Sequence, residues 1–227
     1  LYDTLQARYV SYGQMFRHLL HDAGGDWEIS IYRVIDGECP EDPAAYHGFL
    51  ITGSKYDSFA DDDWIVTLRR YVQALYQRGK LLVGVCFGHQ LLAHALGGRA
   101  GRSDAGWGLG VMRYQLEAHP GFADEQFSSV ELIASHQDQV LALPEQAQRL
   151  LSNDFCPNAG FYIPGRVLAI QPHPEFSAEY AKALLDLRAE QLPAALVERA
   201  RASLEASHDG LRVGKWIRNF MEHNANK

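Results

Sequence analysis

The 227-residue sequence is poor in cysteine, with only Cys39, Cys86 and Cys156. An odd number without a CxxC pair argues against a disulfide framework and against a Cys-based zinc site. Reduced thiols are the simplest reading, and one of them is then available as a nucleophile. No apolar run approaches the roughly 20 residues needed to cross a bilayer. A charged segment leading into an apolar one is also missing, so neither a membrane anchor nor a signal peptide is visible. Leu1 is not an initiator Met, which fits a chain trimmed at its N-terminus, and the expected location is the cytoplasm. Basic charge is scarce as well: 21 Lys and Arg face 28 Asp and Glu, for a net charge of -7. With the basic residues scattered, nucleic-acid binding is not expected. There is no GxxxxGK[ST] nucleotide loop, no internal repeat and no linker rich in Gly, Ser or Pro. What is present, 47% hydrophobic and 22% charged residues, describes a packed globular chain of a size for one large α/β domain.

Apolar spacing predicts a helix over Arg8 to Leu20, ended by Gly24 and Gly25. Strand-like pieces follow at Ile29 to Ile35 and Phe49 to Thr52, then a helix that starts at Asp61, Asp62 and Asp63 and closes at Gly79. Leu81 to Val85 is a short, continuous apolar run of the kind buried on both faces of a parallel sheet, and His89 to Leu96 resumes at helical period. This alternation implies crossover connections and a central parallel sheet. Further strands are expected at Leu109 to Tyr114, Val130 to Ser135, Arg149 to Ser152, Gly160 to Ile163 and Val167 to Gln171. From Ser177 onward the pattern is helical, with breaks near Pro193 and at Asp209 and Gly210. The expected organisation is one domain over residues 1–176 and a helical extension, 177–227, packed on it.

Gly84-Val85-Cys86-Phe87-Gly88 lies between the buried strand and a helix. In a nucleophile elbow a strained turn lifts the reactive side chain above the strand ends, and glycines two residues to either side prevent collision. Cys86 occupies the elbow position, and the positive end of the following helix favours thiolate over thiol. A buried core cysteine would satisfy the same short pattern, so a second cluster has to decide.

That cluster is Gln171-Pro172-His173-Pro174-Glu175. A cysteine nucleophile needs a general base, and the base needs an acceptor on its other ring nitrogen. The prolines keep the stretch extended, and residues i and i+2 of an extended chain point the same way. His173 and Glu175 are therefore able to act together. For the oxyanion, the amide of Phe87 is one candidate donor, and Gly53, in the Thr52-Gly53-Ser54 turn after Phe49 to Ile51, is the second.

With these pieces in chain order, the sequence resembles the class I glutamine amidotransferases, whose glutaminase domains carry a GxCxGxQ elbow and a downstream HPE. Here they stand as Gly84 to Gln90 and His173-Pro174-Glu175. The resemblance implies a flavodoxin-like, three-layer α/β domain with a central, mostly parallel sheet. It also implies a Cys86, His173, Glu175 triad that cleaves the γ-glutamyl amide bond of glutamine or a γ-glutamyl compound through a γ-glutamyl thioester. Gln90 would contact substrate, and Ser135, His136 and Gln137 would hold its amino-acid end, although many members have glycine where Gln137 stands. Related domains begin with a strand ahead of the first helix. Only Leu1 to Leu5 precede it here, so that strand is absent or ends at Leu1. No metal or cofactor is expected.

The chain contains no synthase. It is read as a free-standing hydrolase of small γ-glutamyl compounds, a preference supported by the similarity of Ile51 to Asp57 and Asp62 to Ile65 to stand-alone members, γ-glutamyl peptidases among them. The alternatives are an ammonia-donating glutaminase for a separate synthase subunit, and a non-catalytic redox sensor built on Cys86. Retention of His173 and Glu175 speaks against the sensor, which needs a thiolate but no oriented base.

Overall fold

The computed structural model describes residues 3–123 and 126–224. Its elements are, in order, helices α1 (Asp3–Tyr9) and α2 (Tyr12–Asp22), strand β1 (Gly48–Ile51), helix α3 (Asp63–Gln77), strand β2 (Leu81–Val85), helix α4 (Phe87–Ala95), strands β3 (Arg99–Arg102), β4 (Gly108–Leu116), β5 (Ser129–His136), β6 (Asp138–Ala142), β7 (Gln148–Ser152), β8 (Gly160–Ile163) and β9 (Val167–Ile170), and helices α5 (Ala178–Arg188), α6 (Ala194–Ser203) and α7 (Gly210–Asn224).

The seven-stranded sheet runs β1-β2-β9-β8-β7-β4-β5. β1, β2 and β9 pair in parallel, while the pairings from β9 through β8, β7 and β4 to β5 are antiparallel. It is thus a mixed sheet, parallel at the edge where the elbow lies, and it has the expected flavodoxin-like α/β fold. Alternation along β2 sends Leu81, Val83 and Val85 into a core shared with α2 and α7, and Leu82 into a second core shared with α3 and α4. Leu168 and Ile170 of β9 join the first core, and Val167 and Ala169 the second. Both strands are buried on both faces, which is why they read as unbroken apolar runs. A third cluster packs α5 and α6 on Leu109 of β4 and Ile133 of β5.

Two expectations are corrected, and one element was not foreseen. The helix over Arg8 to Leu20 is two helices, because Ser11 caps α2, its hydroxyl accepting from the Gln14 amide at 3.2 Å, and Val10 turns left-handed at φ 59°. Ile29 to Ile35 forms no strand: the Ile29 carbonyl accepts from Arg17 and the Arg33 amide donates to Glu38, so side chains take the place of a ladder. A two-stranded ribbon of β3 and β6 was not expected. Residues 3–9 are helical, so no strand precedes the first helix among the described residues, and Leu1 lies outside them.

Candidate active site

The C-terminal ends of the parallel strands β2 and β9 bring two sequence-distant motifs together. Immediately after β2, Cys86 is forced to φ 54° and ψ -104°. A side chain at Gly84 would place its Cβ 2.5 Å from the Gly88 carbonyl oxygen, and one at Gly88 would overlap the Ile51 carbonyl. Only glycine fits either position, so β1, β2 and α4 close to the distance that holds the strained turn. The Cys86 amide donates to the Ile170 carbonyl at 2.9 Å, which ties the elbow to the end of β9.

From β9 the chain runs to His173, whose amide donates to the Ile133 carbonyl of β5 at 2.8 Å. His173 Nδ1 donates to Glu175 Oε1 at 2.7 Å, and His173 is also hydrogen-bonded to Cys86. With Nδ1 committed to Glu175, Nε2 is the nitrogen that serves the sulfur. Both side chains are buried. Burial alone would lower the proton affinity of His173. The negative charge of Glu175, then that of Cys86, together with the hydrogen bonds to both, overrides it and raises the pKa well above that of free imidazole. The Phe176 ring stacks on His173 at 3.8 Å, and Tyr12 of α2 stacks on Phe176 at 5.9 Å. The motif reading missed both aromatics. Phe176 directly follows Glu175, but nothing in the sequence links Tyr12 to His173.

Gly53 lies against the pair: a Cβ there would stand 2.9 Å from His173 Cε1 and 3.7 Å from Cys86 Cβ. Phe87 opens α4, where backbone N–H groups lack helical partners, and its ring stacks on Trp64. Gln90, one turn beyond Cys86, is buried and heavily bonded. Its amide donates to the Asp138 carbonyl and to Gln171 Oε1, and its carbonyl accepts from Ser58. His89 joins the network through Gln171 and is pushed by burial to a pKa of about 3. His136 is buried and kept neutral, at about 4, by desolvation above all and by the charge of His173, while its Nδ1 donates to the Asp138 carbonyl at 3.0 Å. The side chains of its neighbours turn elsewhere. Ser135 accepts from Arg188 at the end of α5, and Gln137 accepts from Arg102. Of the other thiols, Cys156 is fully buried and raised by that burial to about 12, and Cys39 is exposed.

The fold and this pairing of elbow cysteine with a His and Glu two residues apart define the class. Residues 10–189 match the family Glutamine amidotransferase class-I. Gamma-glutamyl peptidase 3 of Arabidopsis thaliana is 33% identical over 97% of this chain and 92% of its own length, and Gamma-glutamyl peptidase 5 of the same plant is 34% identical over 94% and 88%. A glutamine amidotransferase from Thermotoga maritima superposes with a TM-score of 0.77 at 19% identity, over 97% of this chain and 95% of that one. The chain belongs to the class I glutamine amidotransferase family, as a glutamine amidotransferase-like hydrolase.

Proposed function

We propose that the chain hydrolyses the γ-glutamyl amide bond of small γ-glutamyl compounds, with Cys86, His173 and Glu175 as the catalytic triad and no synthase subunit required. The observation that carries this reading is the His173–Glu175 hydrogen bond of 2.7 Å, buried and linked to Cys86 at the strained elbow. Sγ of Cys86 attacks the γ-carbonyl carbon while His173 holds the thiol proton. The developing oxyanion is met by the amides of Phe87 and Gly53, both fixed before substrate arrives. His173 then gives its proton to the departing amine as the C–N bond breaks, leaving a γ-glutamyl thioester on Cys86. Water, deprotonated by His173, attacks the thioester and releases glutamate and the thiol. Glu175 keeps the imidazole in the tautomer that presents Nε2 to sulfur, and balances its charge when protonated.

The γ-glutamyl peptidases among its relatives favour a substrate with a leaving group larger than ammonia, for which contacts beyond the glutamyl moiety contribute to transition-state binding. The test uses the isolated full chain with glutamine and a panel of γ-glutamyl dipeptides, quantifying free glutamate and free amine. We expect unaided turnover, with dipeptides favoured, and a γ-glutamyl adduct on Cys86 in the intact mass of acid-quenched enzyme. Refusal of every dipeptide, with glutamine cleavage that rises only on adding a synthase-containing extract, would make the chain an ammonia donor instead.

A further inference from the structure

The two amides proposed for the oxyanion sit on segments that are fixed in different ways. Phe87 belongs to the elbow, where Gly84, Gly88 and the Ile51 carbonyl bring backbone against backbone, and it is buried. Gly53 belongs to the loop that joins β1 to α3. Residues 53–56 make no backbone hydrogen bond to another segment among the described residues, and the Tyr56 amide turns back to the Ser54 hydroxyl at 3.3 Å. With no ladder to set its place, this stretch takes its position from side-chain contacts.

One indole spans the gap between the two segments. Trp64, in the first turn of α3, lies nearly parallel to the Phe87 ring, with centroids 5.6 Å apart and planes at 19°. The Tyr56 ring meets the same indole edge-on, at 5.3 Å and 79°. Stacked and edge-to-face pairs are the arrangements that the ring quadrupoles favour, so each contact sets orientation as well as distance. Further along the loop, Arg69 of α3 donates to the Ala60 carbonyl at 2.9 Å, and Ser58 donates to Gln90 Oε1 of α4 at 3.2 Å. Hydrogen bonds thus hold the far end of the loop, while the Tyr56–Trp64–Phe87 contacts hold the end near Gly53. Tyr56 follows Gly53 by three residues, so a shift of its ring reaches Gly53 along at most about 10 Å of chain.

We infer that Trp64 is a positioning residue for the proposed oxyanion hole: through Tyr56 on one side and Phe87 on the other, it sets the separation of the Gly53 and Phe87 amides. The inference rests on the hydrolase reading above. A tetrahedral oxyanion forms twice in that reaction, when Cys86 attacks the amide and when water attacks the thioester, so the separation of the donors bears on both steps. Such donors act only when they are aimed before the charge develops, and a site loosened by a fraction of an ångström loses transition-state stabilisation while it still binds substrate. Neither Trp64 nor Tyr56 has to touch the substrate. Their loss should therefore fall on kcat and not on KM, whichever amine departs.

The test uses the full chain with γ-glutamyl-p-nitroanilide and γ-glutamylalanine as substrates, and iodoacetamide as a probe of Cys86 that needs no oxyanion donor. Trp64→Ala and Tyr56→Ala are each expected to lower kcat by about 10- to 100-fold on both substrates, with KM held within about threefold and the alkylation rate of Cys86 close to that of the unmutated chain. Trp64→Phe, which keeps a ring against Phe87, should recover most of the loss. The double variant should lose little more than the worse of the two single ones, because both changes cut the same chain of contacts. Tyr56 is 37% exposed, so Tyr56→Ala spares the core and decides the outcome if Trp64→Ala fails to fold. Unchanged kcat in Tyr56→Ala, an effect confined to KM, a loss that depends on the amine released, or alkylation that falls in step with kcat overturns the inference and spares the hydrolase reading. Cleavage of neither compound by the unmutated chain overturns both.

Discussion

At the scale of single residues, burial in the candidate site is offset by a few specific contacts. His173 is the case in point: desolvation and its two charged neighbours act in opposite senses, and the neighbours win. Cys86→Ala is expected to abolish adduct formation and lower turnover by about 10⁴-fold or more while the melting temperature stays close to that of the unmutated chain. If the proposed triad acts as a unit, His173→Ala should cost nearly as much, and Glu175→Gln less. Gly53 allows a different test. In Gly53→Ala the new methyl would stand 2.9 Å from His173 Cε1, so the ring must shift, and a displacement of even a fraction of an ångström at the proposed catalytic base is expected to lower kcat by about 10- to 100-fold. Circular dichroism checks that the fold survives; unchanged kcat in a folded variant would show that the loop yields instead. The triad candidates were legible because each rests on short-range spacing. Tyr12 was not, since its place against Phe176 arises from a contact between distant segments.

The buried histidines also set a pH profile for stability. His89 and His136 have pKa values lowered to about 3 and about 4, so the unfolded chain takes up their protons first, and stability falls as pH drops from 6.5 toward 4. Asp138 works in the opposite sense over the same window, because its raised carboxyl holds a proton in the folded state that the unfolded chain gives up. Two depressed histidines outweigh one raised carboxyl. The raised pKa of His173 contributes stability that is complete below about 6.5 and is lost as pH climbs through its folded value. Thermal melts across pH 4 to 10 should therefore peak near 6.5, and a midpoint that keeps rising down to pH 4 would contradict the burial of His89 and His136.

At the scale of elements, the buried strands β2, β8 and β9 and the amphipathic helix α3 stand close to where periodicity places them, because a strand covered on both faces, or a helix with one apolar stripe, advertises itself. The elements misread are those whose backbone bonds are decided elsewhere. β3 is the four residues Arg99–Arg102, with Gly101 in the middle, and only its partner β6 makes it a strand. Ile29 and Ile31 alternate inward as a strand would, yet Arg17 and Glu38 take up backbone groups of that stretch. The break between α1 and α2 leaves exposed, β-branched Val10 at φ 59°, a conformation costing such a residue about 1 kcal/mol or more. Val10→Asn, which tolerates this region better, is expected to raise stability by about 1 kcal/mol in urea unfolding. A loss of stability would place the source of the turn in packing around Val10.

At the scale of the whole molecule, the C-terminal helices answer whether residues 177–227 are an appendage. α7 places Val213, Trp216, Ile217 and Phe220 in the principal core, beside Val83, Val85 and Ile170, and each is at most 1% exposed. It also packs along α2, where Leu19 lies against Gly214. Upstream of it, Asp209 bonds the Glu131 backbone of β5 through both its amide and its carboxylate, at 2.7 and 2.8 Å. Burying a large apolar side chain is worth about 1.5–3 kcal/mol, so four of them together, about 6–12 kcal/mol, match the 5–15 kcal/mol that separates folded from unfolded domains. We propose on this ground that the extension is part of the folding unit that carries the elbow. A chain ending at Ser207 is expected to lose its cooperative thermal transition, and with it any adduct on Cys86, because β2 and β9 would face solvent where α7 now lies. Retention of a sharp transition by that shortened chain, with Cys86 still acylated by a γ-glutamyl compound, would make residues 1–176 a self-sufficient domain.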